Sequence, residues 1–173
     1  MHRFVLETER LALRCPTPDD AEDAFVWLSD PEVNRYMPYN LYESVEQVRA
    51  WLQTVADDDG MKFHFAFVRK SDGRVIGSGD VSPNEAGDVW ETGYNLRRDC
   101  WNQGYATEAV RAMLRFAHDV FGVHEFGATH AIANPASGRV MEHCGMRFDH
   151  FNEYGRFDGS ETFPAKYYRL HMD

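Results

Sequence analysis

One stretch limits the fold of this chain more than any other. The segment Trp90–Leu96 has strand character, a short loop follows, and a long amphipathic helix occupies Ala106–Phe121. Ala106, Ala109, Val110, Met113, Leu114, Ala117 and Phe121 recur at helical spacing, while Glu108, Arg111 and Arg115 mark the opposite face. A helix with such a stripe has to bury it, and a strand leading straight into the helix supplies the sheet to bury it against. Gly122 ends the helix.

The remaining pattern extends that unit in both directions. Arg10-Leu11-Ala12-Leu13-Arg14 alternates as a half-buried strand does. Thr17-Pro18-Asp19-Asp20 has the composition of a helix start, with Ala21, Ala24, Phe25 and Leu28 on one face and Asp30-Pro31 as the stop. Ser44 with Gln47 forms a capping box for a second helix whose stripe is Val48, Trp51, Leu52 and Val55. Asp57-Asp58-Asp59-Gly60 is then a turn. Phe63, Phe65 and Phe67 alternate along a strand, Ser71-Asp72-Gly73 turns the chain, and Arg74–Val81 returns. Gly77 and Gly79 inside the return strand indicate a bulge or a close backbone approach. Beyond the long helix come a strand at Glu125–Ile132, a short helix from Asn134-Pro135 to Gly145, and strands at Met146–Tyr154 and Thr162–His171. The expected order is strand, two helices, three strands, helix, strand, helix, two strands: a mixed α/β fold on one central sheet, in one domain over residues 1–173.

Composition narrows the function classes. Hydrophobic residues at 43% and charged residues at 27% suit a globular chain with a core. No apolar run is long enough for a membrane span. Met1-His2-Arg3-Phe4-Val5-Leu6-Glu7 carries acid too early for a signal peptide, so a cytoplasmic address is expected. The net charge of -10 disfavours nucleic acid and suits a cationic partner, although solubility alone accounts for it as well. Cys15, Cys100 and Cys144 form no CxxC, and His124-Glu125 does not continue to HExxH, so no metal is expected. Gly77-Ser78-Gly79 is no hydrolase elbow, and no phosphate loop of the NTPase type is present.

The loop before the long helix carries the chemistry. The first turn of a helix leaves amides unpaired and positively polarised. Gly104 and the small Ala106 let a phosphate approach them, and Arg97 and Arg98 add positive charge. The stretch Trp101-Asn102-Gln103-Gly104-Tyr105-Ala106-Thr107-Glu108-Ala109 resembles the acetyl-CoA loop of the GNAT superfamily of acetyltransferases, in the form found in the RimJ and RimL ribosomal-protein N-terminal acetyltransferases. Thr8-Glu9-Arg10-Leu11, Asp30-Pro31-Glu32-Val33, Asn134-Pro135-Ala136-Ser137 and Met141-Glu142-His143-Cys144-Gly145-Met146 fit the same pattern in order and spacing. The resemblance implies a twisted, mostly antiparallel mixed sheet flanked by about four helices, and direct transfer of acetyl from acetyl-CoA to a primary amine, on a small molecule or a protein N-terminus. A non-catalytic acyl-CoA-binding domain is the alternative, and the resemblance leaves a homodimer open.

It also implies residue roles. Leu96, Arg97 and Arg98, with Gln103, Gly104, Tyr105, Ala106 and Thr107, would hold pantetheine and pyrophosphate, and Asn134 would reach the pantetheine arm besides capping its helix. Glu91 is the candidate base, with Asp80 second. Relatives place a tyrosine on the last helix to meet the departing thiolate; Met141 stands nearest that position, so Ser137 is the expected substitute, and its alternative role is a helix-start residue bonded to Asn134. Tyr39 and Tyr42 are expected in the acceptor pocket. Neither Cys100 nor Cys144 has a base beside it by spacing, so a covalent acetyl-cysteine is not motivated.

Overall fold

The computed structural model describes residues 4–58 and 60–173. Residues 1–3, the start of the segment expected not to be a signal peptide, and Asp59 of the expected turn lie outside the described residues. Eight strands form one sheet: β1 (Val5–Glu7), β2 (Leu11–Arg14), β3 (Phe63–Arg69), β4 (Val75–Pro83), β5 (Trp90–Leu96), β6 (Glu125–Ala131), β7 (Arg147–Gly155) and β8 (Thr162–His171). Their spatial order is β1-β2-β3-β4-β5-β6-β8-β7, and every neighbouring pair is antiparallel except β5 with β6. Four α-helices flank it: α1 (Ala21–Leu28), α2 (Val45–Asp57), α3 (Tyr105–Phe121) and α4 (Pro135–His143). No described helix is long and apolar enough to cross a membrane.

The period-2 pattern of the strands sorts side chains between two cores. Phe63, Phe65 and Phe67 join Met113, Phe116 and Ala117 of α3 on one face, whereas Ala66 faces Trp27 and Leu28 of α1 and Val48 and Leu52 of α2 on the other. Gly79 shows why β4 needs glycine. A Cβ there would sit 2.8 Å from Met113 Cε and 2.8 Å from Gly93 O, so α3 packs directly on the backbone. Gly77 is crowded in the same way by Asn95 O and Leu96. Both positions are close approaches, of α3 and β5 at Gly79 and of β5 alone at Gly77.

Four expectations need correction. The first strand is two, because Val5–Glu7 pairs antiparallel with Leu11–Arg14. The helix expected from Pro18 begins as a 3-10 turn, Pro18–Asp20, before α1. Asp20 closes that turn by accepting from the Thr17 amide (2.8 Å) and from both Arg14 Nη atoms (2.7 and 2.8 Å). Trp51, assigned to the buried stripe of α2, is half-buried. The Ser44 and Asn134 caps form, each side chain accepting an amide three residues on, but Gln47 Oε1 accepts from the Glu43 amide and not from that of Ser44, so the expected capping box is only half made.

Candidate active site

β5 and β6 run parallel but pair only at Trp90↔Phe126 and Glu91↔Gly127, and beyond those pairs they part. The sheet therefore opens as a wedge toward the C-terminal end of β5. The Arg97 amide donates to Ile76 O (2.8 Å), on the β4 side. Backbone groups of successive strand residues face opposite neighbours, so Tyr94 and Leu96 turn theirs into the wedge. Leu96 O is taken by Trp101 Nε1 at 2.8 Å, which folds the loop back over the strand end. Two buried polar atoms of residues bordering the wedge, His130 Nε2 and Asn152 Oδ1, have no hydrogen-bond partner among the described residues, and His130 Nε2 is packed against Gly138 of α4.

At the mouth of the wedge Gly104 caps α3 in the left-handed conformation, at φ 82°, and Asn102 two residues earlier is also left-handed, at φ 58°. The chain thus turns tightly into a 17-residue helix, whose leading amides have no acceptor within the helix. Tyr105, Ala106 and Thr107 form that first turn and are half-buried. The two arginines expected to supply charge are already engaged. Arg97 pairs with Asp99 at 2.8 Å and holds that carboxyl below its usual range, while Arg98 reaches Asp30 at 3.1 Å. Gln103 Nε2 donates to Asp99 O, so its side chain braces the loop.

The loop has a second brace that sequence reading missed. Glu108, assigned to the solvent face of α3, accepts from Thr8 Oγ1 (2.7 Å), the Arg10 amide (2.8 Å) and Arg10 Nε (2.7 Å). These donors hold the Glu108 carboxyl below its usual range against the opposing effect of burial, which is the largest single influence. Arg10 Nη1 goes on to Gln103 O at 2.9 Å, and the guanidinium lies 4.3 Å from the Tyr105 ring centre. Thr8 and Arg10 thus bolt the N-terminal strands to the loop and the first turn of α3. We expect Arg10→Ala to weaken acetyl-CoA binding about tenfold in calorimetry, with Arg10→Lys restoring little because an ammonium lacks the fork. Unchanged affinity in Arg10→Ala would show that the loop holds its shape unaided.

Inside the wedge, Tyr94 bridges β5 to α4. Its hydroxyl lies 2.9 Å from Ser137 O and 2.9 Å from Ser137 Oγ. Burial raises the Tyr94 pKa, so the phenol stays protonated. Met141, almost fully buried, lies on the same stretch of the cleft lining. Ser137 also fulfils its helix-start role, its amide donating to Asn134 Oδ1 at 3.4 Å. Asn134 and Ser137 both line the cleft.

The wedge continues into a cleft of about 770 Å³ on the α1–α2 side of the sheet. Tyr39 and Tyr42 line it, and Tyr39 Oη accepts from Asn95 Nδ2 at 2.7 Å. Asp80, His64 and Lys62 lie on its floor, with Lys62 Nζ 3.2 Å from Asp80. His64 and Asp80 are cross-strand partners, and Asp80 Oδ1 lies 3.5 Å from where a Gly93 Cβ would be. Burial lowers the His64 pKa, so its ring is neutral at pH 7.

Glu91 lies elsewhere. It is on the same face of β5 but still within the paired part of the wedge, exposed and outside the cleft lining. Its carboxylate accepts from Tyr167 Oη at 3.1 Å. That contact runs across Gly127, where a Cβ would lie 2.6 Å from Tyr167 Cζ. The cysteines stay thiols: burial pushes Cys144 up to about 11 and raises Cys100 as well.

Known proteins share this architecture. Residues 10–147 match the family model described as an acetyltransferase (GNAT) domain. The chain is 34% identical over 139 residues to the uncharacterized N-acetyltransferase p20 of Bacillus licheniformis, covering 79% of this chain and 78% of that one. An acetyltransferase of the GNAT family from Bacillus anthracis superposes with a TM-score of 0.86 at 24% identity, covering 97% of this chain and 98% of that one. The microcin C7 self-immunity acetyltransferase, solved in complex with acetyl-CoA and AMP, superposes with a TM-score of 0.82 at 13% identity over 95% and 94% of the two chains. A parting strand pair, a left-handed glycine at a helix start and this match over most of the chain converge: the protein belongs to the GNAT family of acetyltransferases.

Proposed function

We propose that this chain is an N-acetyltransferase that moves acetyl from acetyl-CoA to the primary amine of a small molecule or a protein N-terminus, by direct attack within a ternary complex. The observation that carries the reading is the junction inside the cleft, where Asp80 on one side and the Tyr94–Ser137 pair on the other approach the open edge of β5. The cofactor contributes the activated acetyl thioester. Leu96, Arg97 and Arg98 would carry the pantetheine side of the site, and Gly104 with the amides of Tyr105, Ala106 and Thr107 the pyrophosphate. Gln103 and Arg97 act through the loop they brace, and Asn134 adds a contact at the start of α4. Scaffold segments 8–11 and 101–109 put the chain, in our reading, on the RimJ/RimL side of the family, in a cytoplasmic setting.

The transfer forms an N–C bond and breaks a C–S bond, so a proton must leave nitrogen and sulfur must be met by a donor. A lysine-type amine has a pKa of ~10.4, and an α-amine ~7.7–8.0, so the acceptor arrives largely or partly protonated at pH 7. Asp80 is our candidate to take that proton, with neutral His64 beside it. Glu91, exposed and bonded to Tyr167, is left with a supporting role at the closed end of the wedge. At the sulfur we assign Tyr94 and Ser137 jointly, since each hydroxyl can donate while the other accepts.

The test is release of free CoA with a broad panel of amines. We expect turnover for at least one class, reduced ~10–100-fold in Ser137→Ala and further in Tyr94→Phe/Ser137→Ala, with acetyl-CoA affinity retained. Normal turnover in the double variant with only a lower melting point would leave both residues a structural role.

A further inference from the structure

The acceptor half of the cleft has a chemistry of its own. Resting on the acetyl-transfer reading above, we propose that the acceptor is a small monoamine with an aromatic or otherwise apolar body. Four aromatic rings and two contrasts in polarity carry this.

Tyr39, Tyr42 and Trp51 form one continuous wall. The tyrosine rings are 6.4 Å apart edge to face, and Tyr42 lies 5.9 Å from Trp51. Trp51 had every pattern reason to be buried in the α2 stripe, yet it stays half-buried with the cleft against it. Phe157 stands at the mouth with 82% of its surface exposed. An exposed phenyl on a loose turn would mean little, but this one is held. Its own amide donates to Pro38 O at 2.7 Å, and its neighbour Arg156 donates to the carbonyls of Arg35, Met37 and Tyr39 at 3.1–3.2 Å. With its backbone held in this way, the ring stands at the rim of the cleft, where it can meet the apolar body of a ligand.

The first contrast is charge. Asp80 is the one carboxylate among the described residues lining the cleft, and Lys62 already pairs with it. A polyamine needs further carboxylates along its length, and none lines this space. An amino acid or a phosphorylated amine needs an unpaired cation. Lys62 is paired with Asp80, and Arg156 is spent on three carbonyls and on Glu161 at 3.2 Å. A single ammonium exchanging for Lys62 on Asp80 balances the site.

The second contrast concerns backbone. A peptide acceptor needs main-chain partners to hold it in register. On the wall formed by residues 35–39 every carbonyl is already used: Arg156 takes those of Arg35, Met37 and Tyr39, Tyr154 Oη donates to Tyr36 O at 2.6 Å, and the Phe157 amide takes Pro38 O. Each carbonyl of that wall already accepts a hydrogen bond and rings fill the rest of it, which favours a small molecule over a protein N-terminus.

The experiment compares 2-phenylethylamine and tryptamine with spermidine, lysine and a tripeptide of free N-terminus, by CoA release at saturating acetyl-CoA. The arylalkylamines should lead in kcat/KM by about a hundredfold, and Phe157→Ala should raise their KM about tenfold while acetyl-CoA affinity holds. Phe157 is so exposed that its loss leaves folding intact, and Trp51→Ala serves as the deeper probe. Preference for spermidine, lysine or the tripeptide overturns the inference and leaves acetyl transfer standing. If no amine is acetylated, calorimetry of 2-phenylethylamine on the CoA complex decides: binding that weakens in Phe157→Ala upholds the pocket chemistry against a failed transfer reading, and absence of binding overturns both.

Discussion

Replacing Gly104 with Val should abolish measurable acetyl-CoA binding, a loss of at least about a hundredfold by calorimetry, in a chain that remains folded. Gly104 is left-handed at φ 82°, a region that costs a non-glycine residue ~1–3 kcal/mol and a β-branched one most of all. A Cβ there would lie 3.3 Å from Arg10 Nη2, so the added methyls would push on the guanidinium that holds Gln103 O and Glu108. Relief means rotating the peptide and turning the first amides of α3 away from the phosphate site. The control lies at the other end of the same helix. Gly122 is also left-handed, at φ 67°, and a Cβ there would meet nothing within 4 Å. Gly122→Val therefore carries comparable backbone strain without touching the loop, and should lower the melting point while leaving acetyl-CoA affinity intact. Equal affinity in the two variants would remove the loop from cofactor binding.

What the sequence disclosed, and what it withheld, follows from how local each signal is. Helix α3 was legible to within a residue because seven apolar positions lie inside it and Gly122 closes it directly after. Asn134 before Pro135 declared a cap for the same reason, and the glycines of β4 announced a close approach. Val5–Glu7 is too short to show alternation, and it becomes a strand only by pairing with Leu11–Arg14. Glu108 has the position of a solvent-facing residue on an amphipathic helix, and only the turn between β1 and β2, with Arg10 98 positions away, gives it partners. Tyr94 was hidden differently. Expecting the thiolate donor on α4 directs the search to Met141, while the phenol arrives from β5 across 43 residues of chain. Glu91 has the parity to face the acceptor side, but where β6 leaves β5 is decided by the register of residues 36 positions apart, and no local pattern records that.

That same register yields the largest kinetic contrast we expect. Asp80→Asn should lower kcat/KM by ~10²–10⁴-fold, the usual range for losing a general base, with acetyl-CoA affinity unchanged. Glu91→Gln should stay within a factor of about three, as an exposed substitution away from bound groups does. Asp80 faces the open part of the cleft beside Gly93, and the absence of a side chain at Gly93 leaves its carboxylate a clear approach to an amine at the β5 edge. Glu91 sits where β5 is still paired with β6 and spends its carboxylate on Tyr167. The pH profile separates lost proton transfer from lost binding. With Asn at position 80, activity should recover as pH rises toward the amine's own pKa, because solvent then supplies the neutral nucleophile. The neutral His64 beside Asp80 sets the acid side: its pKa is depressed by burial, so the site keeps an uncharged imidazole until the pH falls below the ordinary histidine value of ~6.5. Acid below that point protonates the ring next to Lys62, which disfavours an incoming ammonium, and turnover should decline there in the wild type. Removing Lys62 with Met frees Asp80 for the substrate and should lower the acceptor KM, the opposite sign to Asp80→Asn. A collapse of turnover in Glu91→Gln beside normal rates in Asp80→Asn would return the base to the paired end of the wedge.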